Sequence, residues 1–78
     1  MVNIKVLGPG CANCKRLEAI ARKAVEDLGI EAEIEKVTNY TEIMKYPILS
    51  TPGLVINEEL VSSGRIPSEA EITDWLKA

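Results

Sequence analysis

Histidine is absent from this 78-residue chain, as is phenylalanine; tryptophan occurs once and cysteine twice. Without an imidazole, the commonest acid–base catalyst and the commonest metal ligand are both missing. Without Phe and with the single Trp75, the core is expected to be mostly Leu, Ile, Val and Ala. No apolar run exceeds a few residues, so no segment is long enough to span a bilayer. The stretch from Met1 to Lys5 has neither the basic region nor the apolar stretch of a signal peptide, and the chain reads as cytoplasmic. Basic charge is scarce as well. Nine Lys and Arg stand against twelve Asp and Glu, a net charge of −3 with a pI near 4.9, which argues against a nucleic-acid or anionic-membrane partner.

What remains is ordinary for a small globular protein: 46% hydrophobic and 27% charged residues. The length fits a single domain, residues 1–78, and a domain of this size buries only about 60% of the surface its unfolded chain exposes. No repeat, linker or low-complexity tract interrupts it.

Val2, Ile4, Val6 and Leu7 form a first strand that stops at Gly8-Pro9-Gly10. From Cys11 to about Leu28 the period becomes helical. Cys14, Leu17, Ala21, Ala24, Val25 and Leu28 recur at three and four residues among charged neighbours. Gly29 ends this helix. Ala32, Ile34 and Val37 alternate with polar residues in a second strand whose glutamates face water. Thr38 or Asn39 caps a short helix with Tyr40, Ile43 and Met44 that ends before Pro47. Leu54–Ile56 and Leu60–Ser62 flank Asn57-Glu58-Glu59 as a hairpin. Ser68 and Glu71 have the spacing of a capping box, opening a last helix with Ala70, Ile72, Trp75 and Leu76. The order strand, helix, strand, helix, strand, strand, helix predicts an α/β fold: a four-stranded mixed sheet, its first two strands parallel, flanked by three helices.

The reactive inventory comes down to Cys11 and Cys14. A disulfide between them closes too short a loop to serve as a staple. Cys11 falls where a glycine-rich turn meets a helix start, and there unpaired N–H groups and the helix dipole stabilise a thiolate. Thiols so placed in Cys-x-x-Cys pairs have pKa values of roughly 3.5–7.5. Lys15 and Arg16 add positive potential, Lys15 serving as electrostatic support. Cys14 lies on the apolar stripe and is the less exposed sulfur. This placement assigns the roles: Cys11 is the nucleophile that attacks a substrate disulfide, and Cys14 resolves the mixed disulfide. A closed zinc site needs four ligands, and two thiols without histidine supply half of one. No metal and no cofactor are expected beyond a redox-active Cys11–Cys14 disulfide.

The first strand, Gly8-Pro9-Gly10, Cys11-Ala12-Asn13-Cys14-Lys15, then Thr51-Pro52-Gly53-Leu54-Val55-Ile56-Asn57 and the glycine of Ser63-Gly64-Arg65, together resemble a thioredoxin-fold protein. More narrowly, the chain is similar to the small thioredoxin- and glutaredoxin-like redox-active disulfide proteins of archaea and bacteria. The resemblance spans essentially all 78 residues. It implies the βαβαββα thioredoxin-like fold, a cis Pro52, and a substrate-binding surface of Thr51, Pro52, Gly10, Ala12 and Asn13. It also implies an enzyme that reduces protein disulfides as a monomer. Its partners would be disulfide-containing substrate proteins and a thioredoxin-reductase-like electron donor. The chain departs from the family in three places. Gly10 stands where thioredoxin has tryptophan, and Ala12-Asn13 replaces Gly-Pro. The first strand lacks the buried aspartate that helps move protons to and from the resolving thiol, Lys5 being its only charged residue.

Alternative roles use the same two thiols. A soft-metal carrier domain also opens with a strand and a Cys-x-x-Cys before a helix, and Cu(I) accepts two thiolates. Such a domain ends in a strand, whereas this chain ends in a helical pattern. A non-catalytic interaction module is the third reading. For Tyr40 and Tyr46 packing is expected rather than a substrate surface, and Arg65 is either solvated or paired with a partner's carboxylate.

Overall fold

A computed structural model describes residues 2–10, 12–48 and 50–77. In chain order the elements are β1 (Val2–Leu7), α1 (Ala12–Leu28), β2 (Ala32–Val37), α2 (Tyr40–Ile43), β3 (Gly53–Ile56), β4 (Glu59–Ser63) and α3 (Glu69–Lys77). The sheet runs β2-β1-β3-β4. β1 pairs parallel with β2 and antiparallel with β3, and β3 pairs antiparallel with β4. This is the thioredoxin-like α/β order, ending in a helix. Among the described residues no helix is long and apolar enough to cross a membrane.

The period of two in β1 divides the molecule into its layers. Ile4 and Val6 enter one cluster with Leu54 and Ile56 of the sheet, Leu17, Ala21 and Ala24 of α1, and Ile72 of α3. Leu7 points the other way and joins Val55 and Ile43 beneath α2. Thus α1 and α3 cover one face and α2 the other. The edge strand β2 keeps Glu33 and Glu35 exposed, as expected of a strand with one side in water.

The caps follow the local chemistry. Gly29 N–H donates to the carbonyl of Val25 at 3.1 Å and closes α1. Of the two candidate caps for α2 the residue used is Asn39, whose side chain accepts from the Thr41 N–H at 2.7 Å. At the start of α3, Ser68 Oγ accepts from Glu71 N–H and Glu71 Oε1 accepts from Ser68 N–H, both at 3.2 Å, forming the expected capping box.

Three details differ from the expectations. β3 begins one residue early at Gly53, and β4 extends over Glu59–Ser63 with an irregularity opposite Leu54 and Val55, because ladder pairing reaches past the apolar residues. The hairpin loop is two residues, Asn57 and Glu58, both with positive φ (50° and 68°), as a type I′ turn requires. Ala70 is exposed; among the described residues of α3, Ile72 is the fully buried one.

Candidate active site

The end of β1 and the start of α1 meet at Gly8. Gly8 is buried, its N–H bonded to the Val37 carbonyl at 2.9 Å, which anchors the turn to β2. Its backbone runs against the Cys14 side chain. A Cβ built on Gly8 would overlap Cys14 Sγ and would lie 3.3 Å from Cys14 Cβ and 3.9 Å from Thr51 Cβ. Gly8 is therefore the point at which β1, the Cys14 side chain and the segment before β3 converge. A side chain here would displace the sulfur.

Cys14 is 5% exposed and begins the buried stripe that continues through Leu17, Ala21 and Ala24. Its burial agrees with its place on the apolar stripe; its exposure relative to Cys11 lies outside the described residues. The nucleophile role, accessibility and disulfide partnership assigned to Cys11 lie outside the described residues. Its neighbours are described. Gly10 has φ 91°, a conformation that side chains resist, and it is exposed. Ala12, Asn13 and Lys15 are exposed on the first turn of α1. That turn carries no carboxylate, so nothing acidic within it offsets the positive end of the helix.

The second motif comes to the same place. Thr51 is half-buried and Pro52 buried, and their peptide bond is cis, as the resemblance implied. The Pro52 carbonyl accepts from Gly64 N–H at 2.9 Å, which brings the break after β4 against this loop. Gly8, Cys14 and Thr51 are thus assembled from distant parts of the chain, and Gly10 and Lys15 share a small pocket with Cys14.

Other expectations resolve differently. Tyr40 and Met44 do not pack into the core: they are 60% and 69% exposed. With only four residues in α2, one of its side chains, Ile43, is buried against Leu7 and Val55. Tyr40 and Met44 instead border a groove of about 330 Å³ with Ile43, Ile48, Ser50 and Thr51. Tyr46 is the packing tyrosine. Arg65 is committed within the chain, its guanidinium donating to both oxygens of Glu71 at 3.2 and 2.8 Å. That pairing, with the Ser68 N–H, lowers the Glu71 pKa to about 2.

Lys5 lies on the α2 face, away from Cys14. Its ammonium donates to Glu58 Oε1 at 2.8 Å and to the Tyr46 hydroxyl at 3.1 Å, and Tyr46 donates to Glu58 Oε2 at 3.0 Å. The Glu58 bond, then that of Tyr46, raises the lysine pKa well above its usual range, and Lys5 in turn lowers that of the Glu58 carboxyl. The only charge of β1 thus serves the hairpin turn. Two positions were not singled out by the sequence patterns: Gly8, whose one visible signal is turn punctuation, and Lys36, which lines the Cys14 pocket from β2.

A thioredoxin-domain family model matches residues 2–77. Over 72 residues the chain is 44% identical to a protein named thioredoxin from Methanothermobacter thermautotrophicus, covering 92% of this chain and 94% of the relative. Over 78 residues it is 44% identical to a thioredoxin of Methanocaldococcus jannaschii, covering all of this chain and 90% of the relative.

Proposed function

The chain belongs to the thioredoxin-domain family, and from that premise we propose that it is a thiol–disulfide oxidoreductase reducing protein disulfides through its Cys-Ala-Asn-Cys centre. The observation that carries this reading is the convergence of Gly8, buried Cys14 and Thr51 at the start of α1.

On this reading the Cys11 thiolate attacks one sulfur of a substrate disulfide. A mixed disulfide forms, and the other substrate sulfur leaves with the electron pair and takes up a proton. Cys14 then loses its proton and attacks Cys11 Sγ, so the second substrate sulfur departs as a thiol and Cys11–Cys14 is left oxidised. Two electrons have passed to the substrate, and a thioredoxin-reductase-like donor returns them. The exposed first turn of α1, free of carboxylates, favours the attacking thiolate. Gly10, Ala12, Asn13, Thr51 and Pro52 form the surface that receives the substrate, where an extended segment gains main-chain hydrogen bonds at Thr51. Lys15 contributes positive potential. The chain works as a cytoplasmic monomer.

The test is insulin reduction driven by dithiothreitol. The wild-type chain accelerates it, and Cys11→Ser abolishes the acceleration. Turnover unchanged in Cys11→Ser would remove the assignment.

A further inference from the structure

Of the chain's nine Lys and Arg, those without an ion-pair partner among the described residues are Lys15, Arg16 and Lys77. Lys77 lies in the last turn of α3, where the helix dipole favours a cation. Lys15 and Arg16 lie near the start of α1, where the dipole opposes one, and no carboxylate of the first turn compensates. In a chain of net charge −3, uncommitted positive charge is therefore concentrated where local stability disfavours it. Both side chains are exposed. Arg16 follows Ala12 and Asn13 by four and three residues and shares their face of the helix. Lys15 borders the Cys14 pocket with Gly10.

A surplus of the opposite kind borders Thr51. The two large hydrophobic side chains that are exposed among the described residues, Tyr40 and Met44, stand on the rim of one groove. Buried Ile43 and half-buried Ile48 form its floor, Ser50 and Thr51 complete it, and no charged side chain lines it. Exposed apolar surface gathered in this way marks a place where something docks. The groove and the Cys14 pocket share no lining residue. Thr51 approaches Gly8, and Gly8 lies against Cys14, so the thiol site falls between an apolar end and a basic end.

We infer that the preferred substrate is an extended segment read at both ends. A large apolar side chain on one side of its disulfide cysteine enters the groove at Tyr40 and Met44, and a carboxylate on the other side meets Lys15 and Arg16. This rests on the redox reading above and names the class of disulfide it serves. The groove is continuous with the Thr51 edge at which that reading places the substrate's main chain, so a segment held there carries a neighbouring side chain over the groove. Burial of apolar surface supplies affinity at one end. Exposed charges act mainly on encounter and orientation at the other. The two preferences therefore differ in size, and the second is the one that salt weakens.

The test is reduction of symmetric peptide disulfides, two copies of a short peptide joined through its one cysteine, with dithiothreitol supplying the electrons. The cysteine is flanked by Leu and Asp, Leu and Ser, Ser and Asp, or Ser and Ser, each in both orders. In one order, Leu in place of Ser should raise kcat/KM about tenfold. Asp in place of Ser should raise it about threefold at low salt, a gain that fades at high salt. Tyr40→Gln with Met44→Gln should shrink the Leu-to-Ser ratio alone, and Lys15→Gln with Arg16→Gln the Asp-to-Ser ratio alone. Lys77→Gln, the control for an unpaired cation elsewhere, should change neither. The ratios isolate docking, because a change in ionisation of the Cys11 thiol moves every peptide alike and cancels. The same preference in both orders, or a Lys15→Gln, Arg16→Gln chain that slows the Asp and Ser peptides by one factor, would overturn the inference. Failure of the wild-type chain to reduce any peptide would defeat the redox reading itself, whereas reduction of all of them at one rate would defeat only the two-ended recognition.

Discussion

On one face of the sheet Ile4, Val6, Leu54 and Ile56 are sealed by the apolar stripes of α1 and α3; on the other, Leu7 and Val55 are covered by Ile43 of a four-residue helix with the half-buried Tyr46 and Ile48 beside it. The second face is completed by polar contacts, Lys5 with Glu58 and Tyr46. Neighbours in β1, Lys5 and Val6, are thus stabilised by different physics, ionic on one side and apolar on the other. Cys14 belongs to the first face, where it extends the stripe of Leu17, Ala21 and Ala24. The lesson is that the Cys14 sulfur is held by the main core, while the ionic face holds a hairpin turn remote from it.

The largest effect should come from weakening the first face. Leu17 is fully buried one turn below Cys14, and Leu17→Ala is expected to cost about 2–5 kcal/mol by urea unfolding. That is a large share of the roughly 4–12 kcal/mol expected of a domain this size. Gly8→Ala comes next. Its Cβ overlaps Cys14 Sγ, so overpacking should cost about 1–3 kcal/mol and slow the release of substrate from a preformed mixed disulfide. A Gly8→Ala chain with wild-type stability and release would show that the sulfur is not confined there.

Lys5→Met probes the second face. It should lower Tm by less than Leu17→Ala and leave insulin reduction at the wild-type rate, because Lys5 supports the hairpin turn and not the thiol. Equal losses of activity in the two variants would erase the distinction between the faces. The smallest effect is confined to acid. Glu71 has a folded-state pKa of about 2, below its ordinary 4.5, because Arg65 and the Ser68 N–H favour the carboxylate. Its contribution is therefore present above pH 4.5 and lost as pH falls toward 2, softened by exposure to solvent. Tm measured across that window should fall more steeply for the wild type than for Glu71→Gln.

The element order was legible because β1 and α1 have clean periods of two and of three to four, punctuated by Gly8-Pro9-Gly10 and Gly29. The capping box of Ser68 and Glu71 was legible because it is local. What escaped depends on distance. Lys5 meets Tyr46 and Glu58 across 41 and 53 positions, and this contact accompanies a Glu at positive φ where turn preference asks for glycine. Tyr40 sits at helical spacing and reads as a packing residue, yet so short a helix buries only Ile43. At the site, the two motifs were readable as chemistry, but a glycine that must pass close to a sulfur looks in sequence like any turn glycine. Lys36 looked like one more charge on a solvated strand.

The most direct test of the central claim, that two thiols act in succession on one substrate, is to look for the covalent intermediate. The Cys14→Ser chain is mixed with oxidised insulin and analysed by non-reducing mass spectrometry, with Cys11→Ser beside it. The account predicts a stable adduct on Cys11 in the first variant and none in the second. No adduct in Cys14→Ser, or an adduct formed equally well through Cys14 in Cys11→Ser, would contradict it.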